Sequence, residues 1–230
     1  MAGMVKSLMH HAIQIAGVHD LAEALMLAEE GVTHIGFPLR LAYHQPDTSE
    51  GDAGVIIAGL PKQVEPVLIT YLVNPVELVA LAQGLGVQWV QIHSDITRAE
   101  LGEARLLDPN LRIIKSLIVR PGAYELLERQ IRELGDLVDA FITDTFDPGT
   151  GACGATGKTH DWTISRRLAA DTAKPLILAG GLTATNVGEA IRAVRPAGVD
   201  AHTGLENERG RKEREKVRAF VQAARAAWTI

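Results

Sequence analysis

One cysteine in 230 residues, Cys153, excludes an internal disulfide and fits a reducing cytoplasm. No apolar run approaches the roughly 18 residues that a membrane-spanning helix needs. The amino terminus, MAGMVKSLMHHAIQ, lacks the uninterrupted apolar stretch of a signal peptide. Basic charge is in deficit: 23 Lys and Arg against 28 Asp and Glu leave a net charge of −5, which argues against a nucleic-acid binder. No dinucleotide fingerprint follows a strand, so neither a redox nor a nucleotide cofactor is expected. No composition shift or Pro/Ser-rich linker interrupts the chain, which reads as one domain over 1–230. What is present is 47% apolar content, ample for a sizeable core, in a length that α/β barrels reach without splitting.

Two periods alternate along the chain. Short β-rich runs occur at 12–17, 33–37, 67–73, 88–93, 112–119, 138–144, 175–180 and 198–203. Amphipathic helical patterns fill the spaces between them. The first, LAEALMLAEE, opens after the N-cap candidate Asp20 and closes on Gly31. Others fit 51–60, 75–84, 97–106, 122–134, 161–170, 185–194 and 210–227. Eight strand–helix units imply a parallel sheet that closes into a (β/α)8 TIM barrel, an α/β fold.

In such a barrel the chemistry belongs at the carboxy-terminal ends of the strands. Those ends present Ala16-Gly17, Arg40, Asn74, His93-Ser94-Asp95, Arg120, Asp144, Gly180-Gly181 and His202-Thr203-Gly204. Phosphate sites in this fold often form after strands seven and eight, from backbone N–H groups and a helix N-terminus. Gly180-Gly181 and Thr203-Gly204 fall there, so a phosphorylated small-molecule partner is expected.

The stretch DTFDPGTGACGATGKTHDW at 144–162 suggests a nucleotide-triphosphate cradle, but the register fails. A P-loop requires a glycine five residues before its Gly-Lys pair, and Ala152 stands at that place. The run reads instead as a glycine-rich loop that turns tightly or lets backbone approach a ligand.

Several segments together are similar to phosphoribosylanthranilate isomerase, the tryptophan-pathway barrel that converts an aminoaldose phosphate to an aminoketose phosphate. They are GATGKTHDW at 154–162, LAGGLTATNVGEAIRAVRPAGVD at 178–200 with the HTGLE that follows, VQIHSD at 90–95, the first helix with the following IGF, and the closing GRKEREKVRAFVQAAR. The resemblance implies a sugar-phosphate isomerase working by acid/base catalysis, cytoplasmic, monomeric or homodimeric, with no metal. It assigns the general acid to Asp144.

The resemblance also exposes departures. The family's first strand ends in Lys-Ile-Cys-Gly, whose cysteine is the general base; here the matching residues are Gln14-Ile15-Ala16-Gly17. Alanine accepts no proton. The family's arginine beside the anthranilate carboxylate has no aligned counterpart, and Arg40 lies nearby but several residues early. The family's Ser-Ser-Gly after strand eight has become His202-Thr203-Gly204. Gln14 and Arg40 join the four loop residues as substrate- or phosphate-binding candidates. His93, His202, Cys153 and Asp144 itself are candidates for the missing base.

Each residue also has a plainer reading. Asp144 suits a loop-ordering carboxylate, His93 a hydrogen-bonding strand end and His202 a space-filling one. Cys153 suits a turn, Lys158 an exposed loop, and Trp162 and Phe37 the core. His10 and His11 precede strand one, on the face that serves stability. The charged run ENERGRKEREK at 206–216 reads as the solvated start of the last helix. Two other functions stay open: a metal-dependent lyase or aldolase in which His93, His202 and Asp144 converge on a divalent ion, and a non-catalytic sugar-phosphate binder.

Overall fold

The computed structural model describes residues 9–42, 45–145 and 159–229. Eight parallel strands close into a barrel in chain order, β1 to β8. They are β1 (Ala12–Ala16), β2 (His34–Pro38), β3 (Glu65–Thr70), β4 (Trp89–Ile92), β5 (Arg112–Val119), β6 (Ala140–Thr145), β7 (Leu176–Leu178) and β8 (Gly198–Ala201). The helices that follow them are α1 (Leu21–Glu29), α2 (Glu50–Ala58), α3 (Pro75–Leu85), α4 (Arg98–Leu107), α5 (Tyr124–Leu134), α6 (Trp162–Asp171), α7 (Val187–Val194) and α8 (Arg214–Trp228).

Local chemistry sets the helix starts. The Asp20 carboxylate accepts from Glu23 N–H at 2.9 Å, and Gly31 at φ +91° completes the left-handed exit that a side chain would resist. Asn74 caps α3 ahead of Pro75, and Thr97 and Glu100 form a reciprocal capping box on α4. Strand three runs from Glu65 to Thr70, earlier than the 67–73 that its apolar run suggests. Leu72 N–H turns back to Thr70 Oγ1 at 3.3 Å, ending the ladder and releasing Tyr71 into the mouth.

Because strand side chains alternate, one set faces the helices and the other the barrel axis. The larger buried cluster joins strands to helices and includes Ile13, Ile15, Phe37, Leu68, Val90, Phe141 and Phe220. A smaller cluster of Met9, Ala12, Ala16, Val67, Ile69, Trp89, Ile114, Ala140, Ile142, Ile177 and Ala179 fills the axis. His11 stacks on Trp228 with ring centroids 4.6 Å apart, before β1 and away from the strand ends. Toward the carboxy-terminal mouth the inner wall turns polar, with Gln14, Gln91, Asp144 and Asp200 all buried.

The last helix begins at Arg214, later than the 210 its charge pattern suggests. Residues 206–213 instead form a tight return closed by a Glu206–Lys212 bridge. Lys212 is buried, and its Nζ donates to Glu206 Oε1 at 2.6 Å. The charged run is therefore not simply a solvated helix face: one of its ion pairs is folded against the barrel mouth.

Candidate active site

A cavity of about 280 Å³ opens at the carboxy-terminal mouth. Its floor and walls include Ala16, Ile69, Tyr71, Gln91, His93, Asp144, Asp200, His202 and Thr203, with Asp47 and Glu206 at the side. Chain segments some 200 residues apart meet there because β1 pairs with β8, which sets Gln14 beside Asp200 and Ile15 beside Ala201.

Asp144, near the end of β6, is only 6% exposed and accepts Thr145 N–H at 2.7 Å. Burial pushes its carboxyl up to about 7; the Thr145 hydrogen bond opposes that rise and the neighbouring charge of Asp200 adds to it. Asp200 is pushed up to about 6, again first by burial, while the Gln14 amide, His202 and Lys212 draw it down. Its Oδ1 is buried and has no hydrogen-bond partner among the described residues. Burial thus favours the protonated form of both carboxyls, and Asp144 the more so because of the charge of Asp200.

Beneath them runs an amide relay. Gln14 Nε2 donates to Gln91 Oε1 at 2.8 Å, and Gln91 Nε2 donates to His93 Nε2 at 2.8 Å. A carboxamide nitrogen only donates, so His93 Nε2 must accept and Nδ1 must carry the ring proton. Burial, helped by the charge of Lys115, pushes His93 down to about 3. His93 is thus a neutral ring stacked on Tyr71, with centroids 5.4 Å apart, and a weak proton acceptor. Of the histidines proposed as bases, it is the one this environment disfavours. Gln14 lies buried under the cavity rather than in its lining.

His202 sits on the rim above β1. Its Nε2 lies 3.6 Å from Asp47 Oδ1 and 3.4 Å from Glu206 Oε1, so the imidazole is bracketed by two carboxylates. Burial would raise Asp47, but His202 foremost, then Lys212 and His19, hold it below the usual carboxylate range. A Cβ at Gly17, where φ is +75°, would strike His202 Nε2; only glycine admits this arrangement.

The β7–β8 rim carries the expected small residues. Gly180 has φ +99° and would meet Thr145 Oγ1 if given a Cβ, and a Cβ on Gly204 would strike the Leu182 carbonyl oxygen. Gly181 also takes a positive φ, +61°. Thr203 lines the cavity, whereas Gly180, Gly181 and Gly204 frame the rim beside it. His160 ties this rim to α6. Its Nδ1 lies 3.0 Å from Thr145 Oγ1 and its Nε2 2.6 Å from Ser165 Oγ, and burial pushes it down to about 4 against the opposing charge of Asp161.

Arg40 does not join the cavity. Its backbone takes φ +50°, turning the chain outward, and its Nε donates to Glu50 Oε1 at 2.8 Å, at the start of α2. The acidic side chain that reaches the mouth from this segment is Asp47, which no motif or period in the sequence singles out. Cys153, Lys158 and most of the glycine-rich run after Asp144 lie outside the described residues. Among the described residues no group of three or more His, Cys, Asp or Glu side chains is arranged to hold a metal ion, so the convergence of His93, His202 and Asp144 on one is not observed. No helix among them is long and apolar enough to cross a membrane.

Fold and site together define a (β/α)8 barrel with a cavity at its mouth lined by buried carboxyls and a small-residue rim after strands seven and eight. Residues 13–223 match the family described as N-(5'-phosphoribosyl)anthranilate (PRA) isomerase. The chain is 38% identical over 215 residues to N-(5'-phosphoribosyl)anthranilate isomerase 2 of Methanosarcina mazei, covering 93% of each chain. It is 33% identical to the N-(5'-phosphoribosyl)anthranilate isomerase of Methanosarcina acetivorans, over 95% of this chain and 94% of that one. The solved phosphoribosyl anthranilate isomerase of Thermotoga maritima superposes with a TM-score of 0.78 at 25% identity, over 94% of this chain and 99% of that one. The chain belongs to the phosphoribosylanthranilate isomerase family of aldose–ketose isomerases.

Proposed function

We propose that this chain rearranges a phosphorylated aminoaldose to the corresponding aminoketose, with N-(5'-phosphoribosyl)anthranilate as the first substrate to test. The observation that carries the reading is Asp144, a buried strand-end carboxyl in the cavity lining, pushed up to about 7 by burial so that its protonated form is favoured. In that state it donates a proton to the ring oxygen as the sugar opens. Gly180, Gly181, Thr203 and Gly204 take the phosphate on backbone N–H groups, at the rim where barrels of this type bind it. Tyr71, Pro38, Leu41 and Ile69 line the same cavity and receive the apolar remainder. A cytoplasmic setting belongs to the same reading.

The test is turnover of N-(5'-phosphoribosyl)anthranilate by purified protein, followed through anthranilate fluorescence. The reading expects activity that resists chelators and is lost in Asp144→Asn. Absence of turnover, or an Asp144→Asn variant that keeps its rate, contradicts it.

A further inference from the structure

The family's base position is Ala16, so a proton acceptor must come from elsewhere if the isomerisation proposed above proceeds. We infer that Asp200 is the general base of this chain, acting from β8 in place of a side chain on the neighbouring β1. This inference rests on the isomerase reading and supplies its missing partner.

Three observations converge on it. Position 16 offers only a methyl group to the cavity, and β8 is the strand hydrogen-bonded beside it, with Asp200 on the inner face next to Gln14. Asp200 Oδ1 is buried in the cavity lining and no group among the described residues donates to it. A buried acceptor without a protein donor is costly in a folded protein and recurs where chemistry needs it. Among the described residues, the histidines considered as bases are engaged: His93 Nε2 accepts from Gln91, and His202 Nε2 faces Asp47 and Glu206.

The charged surroundings of Asp200 support the assignment. Asp144 faces it from β6, His202 from its own strand end, Lys212 from the return before α8, and β1 contributes only the Gln14 amide. Burial raises both carboxyls, but the Gln14 amide, His202 and Lys212 draw Asp200 down, whereas Asp144 has only the Thr145 N–H against it and the charge of Asp200 raises it further; Asp200 is therefore the partner favoured as the carboxylate and Asp144 as the acid. Two coupled carboxyls then divide the acid and base roles between them.

The protons balance. Asp144 protonates the ring oxygen as its bond to C1 breaks, and the nitrogen lone pair forms the C1=N iminium. Asp200 removes the C2 proton, the C–H pair becomes the C1=C2 bond, and the imine π pair returns to nitrogen. The enaminol gives its O2 proton to Asp144, and Asp200 returns its proton to C1. The ketone forms and both carboxyls regain their starting states.

The test pairs Asp200→Asn with the double variant Ala16→Cys/Asp200→Asn, assayed on N-(5'-phosphoribosyl)anthranilate between pH 5 and 9. Asparagine preserves shape, and far-ultraviolet circular dichroism verifies the fold. Asp200→Asn is expected to lower kcat about 10²–10⁴-fold with little change in KM, as loss of a general base does. The restored thiol is expected to recover at least tenfold of that loss at pH 8.5, with the ascending limb of the profile moved to higher pH. A kcat kept within a few fold overturns the assignment. So does a loss expressed mainly in KM that the thiol does not repair, which makes Asp200 a binding group. If the wild type does not turn over this compound, the substrate reading fails, and infrared difference titration of wild type against Asp200→Asn decides separately. An Asp200 carboxyl band titrating between pH 5 and 7 sustains the inference, and full ionisation at pH 5 overturns it.

Discussion

Replacing Asp144 by asparagine should make the protein more stable at alkaline pH while removing its activity. The carboxyl is 6% exposed and titrates near 7 instead of its ordinary 3.8, because burial disfavours its charge. Its folded pKa is raised, so the folded state holds the proton more tightly than the unfolded chain. Its contribution is present in full below about pH 4, falls as pH rises, and is gone above about pH 7. Each pH unit in that window costs about 1.4 kcal/mol, so wild type relative to Asp144→Asn should lose about 3 kcal/mol between pH 5 and 8. The substituted amide keeps an oxygen for the Thr145 N–H and carries no charge to desolvate. Urea unfolding at pH 5 and pH 8, followed by the tryptophans, measures the difference. A stability gap that does not widen with pH, or a variant less stable than wild type at pH 8, refutes the reasoning.

Other outcomes follow from single contacts. Gly180→Ala should cost more than about 1 kcal/mol and raise KM for phosphorylated ligands, because φ +99° and Thr145 Oγ1 leave no room for a methyl group; thermal melts and kinetics measure both. Lys212→Met strands Glu206 beside the cavity without its 2.6 Å partner and should cost about 3 kcal/mol in urea unfolding. Arg40→Ala removes a half-exposed pair with Glu50 and should change stability by less than about 1 kcal/mol, leaving kcat/KM near wild type. A tenfold loss there would return Arg40 to the site.

The barrel is legible in the sequence because its signals are local. Alternating short β runs and amphipathic helices repeat eight times, and Asp20 and Gly31 mark the bounds of the first helix where they would be expected. Asp144 is legible because it ends the sixth β-rich run and stands where the family resemblance places the general acid. Asp200 is not, although the cue is present. A β-rich run reaching 203 puts the weight on His202-Thr203-Gly204 and leaves the aspartate two residues earlier inside the strand; alternation places 198, 200 and 202 on one face. Asp47 and Glu206 are hidden for a different reason. They reach the mouth through irregular segments whose course no periodicity predicts, and Glu206 looks like one charge among many. Arg40 misleads because a positive φ, invisible in sequence for a non-glycine residue, turns it outward. His93 stands at the right place, but its neutral state follows from burial and from Lys115, a lysine on the next strand.

If this barrel keeps the isomerisation with a carboxyl pair after losing the family's thiol position, the pH dependence of the reaction must carry the signature of that pair. The kcat/KM of the unaltered chain for N-(5'-phosphoribosyl)anthranilate, measured across pH beside Asp144→Asn and Asp200→Asn, reads it directly. The expected profile is a bell with limbs near 6 and 7, abolished by either substitution. A rate that either variant retains, or a profile set by a group titrating above about 8, where an ordinary thiol titrates, would contradict the carboxyl pair.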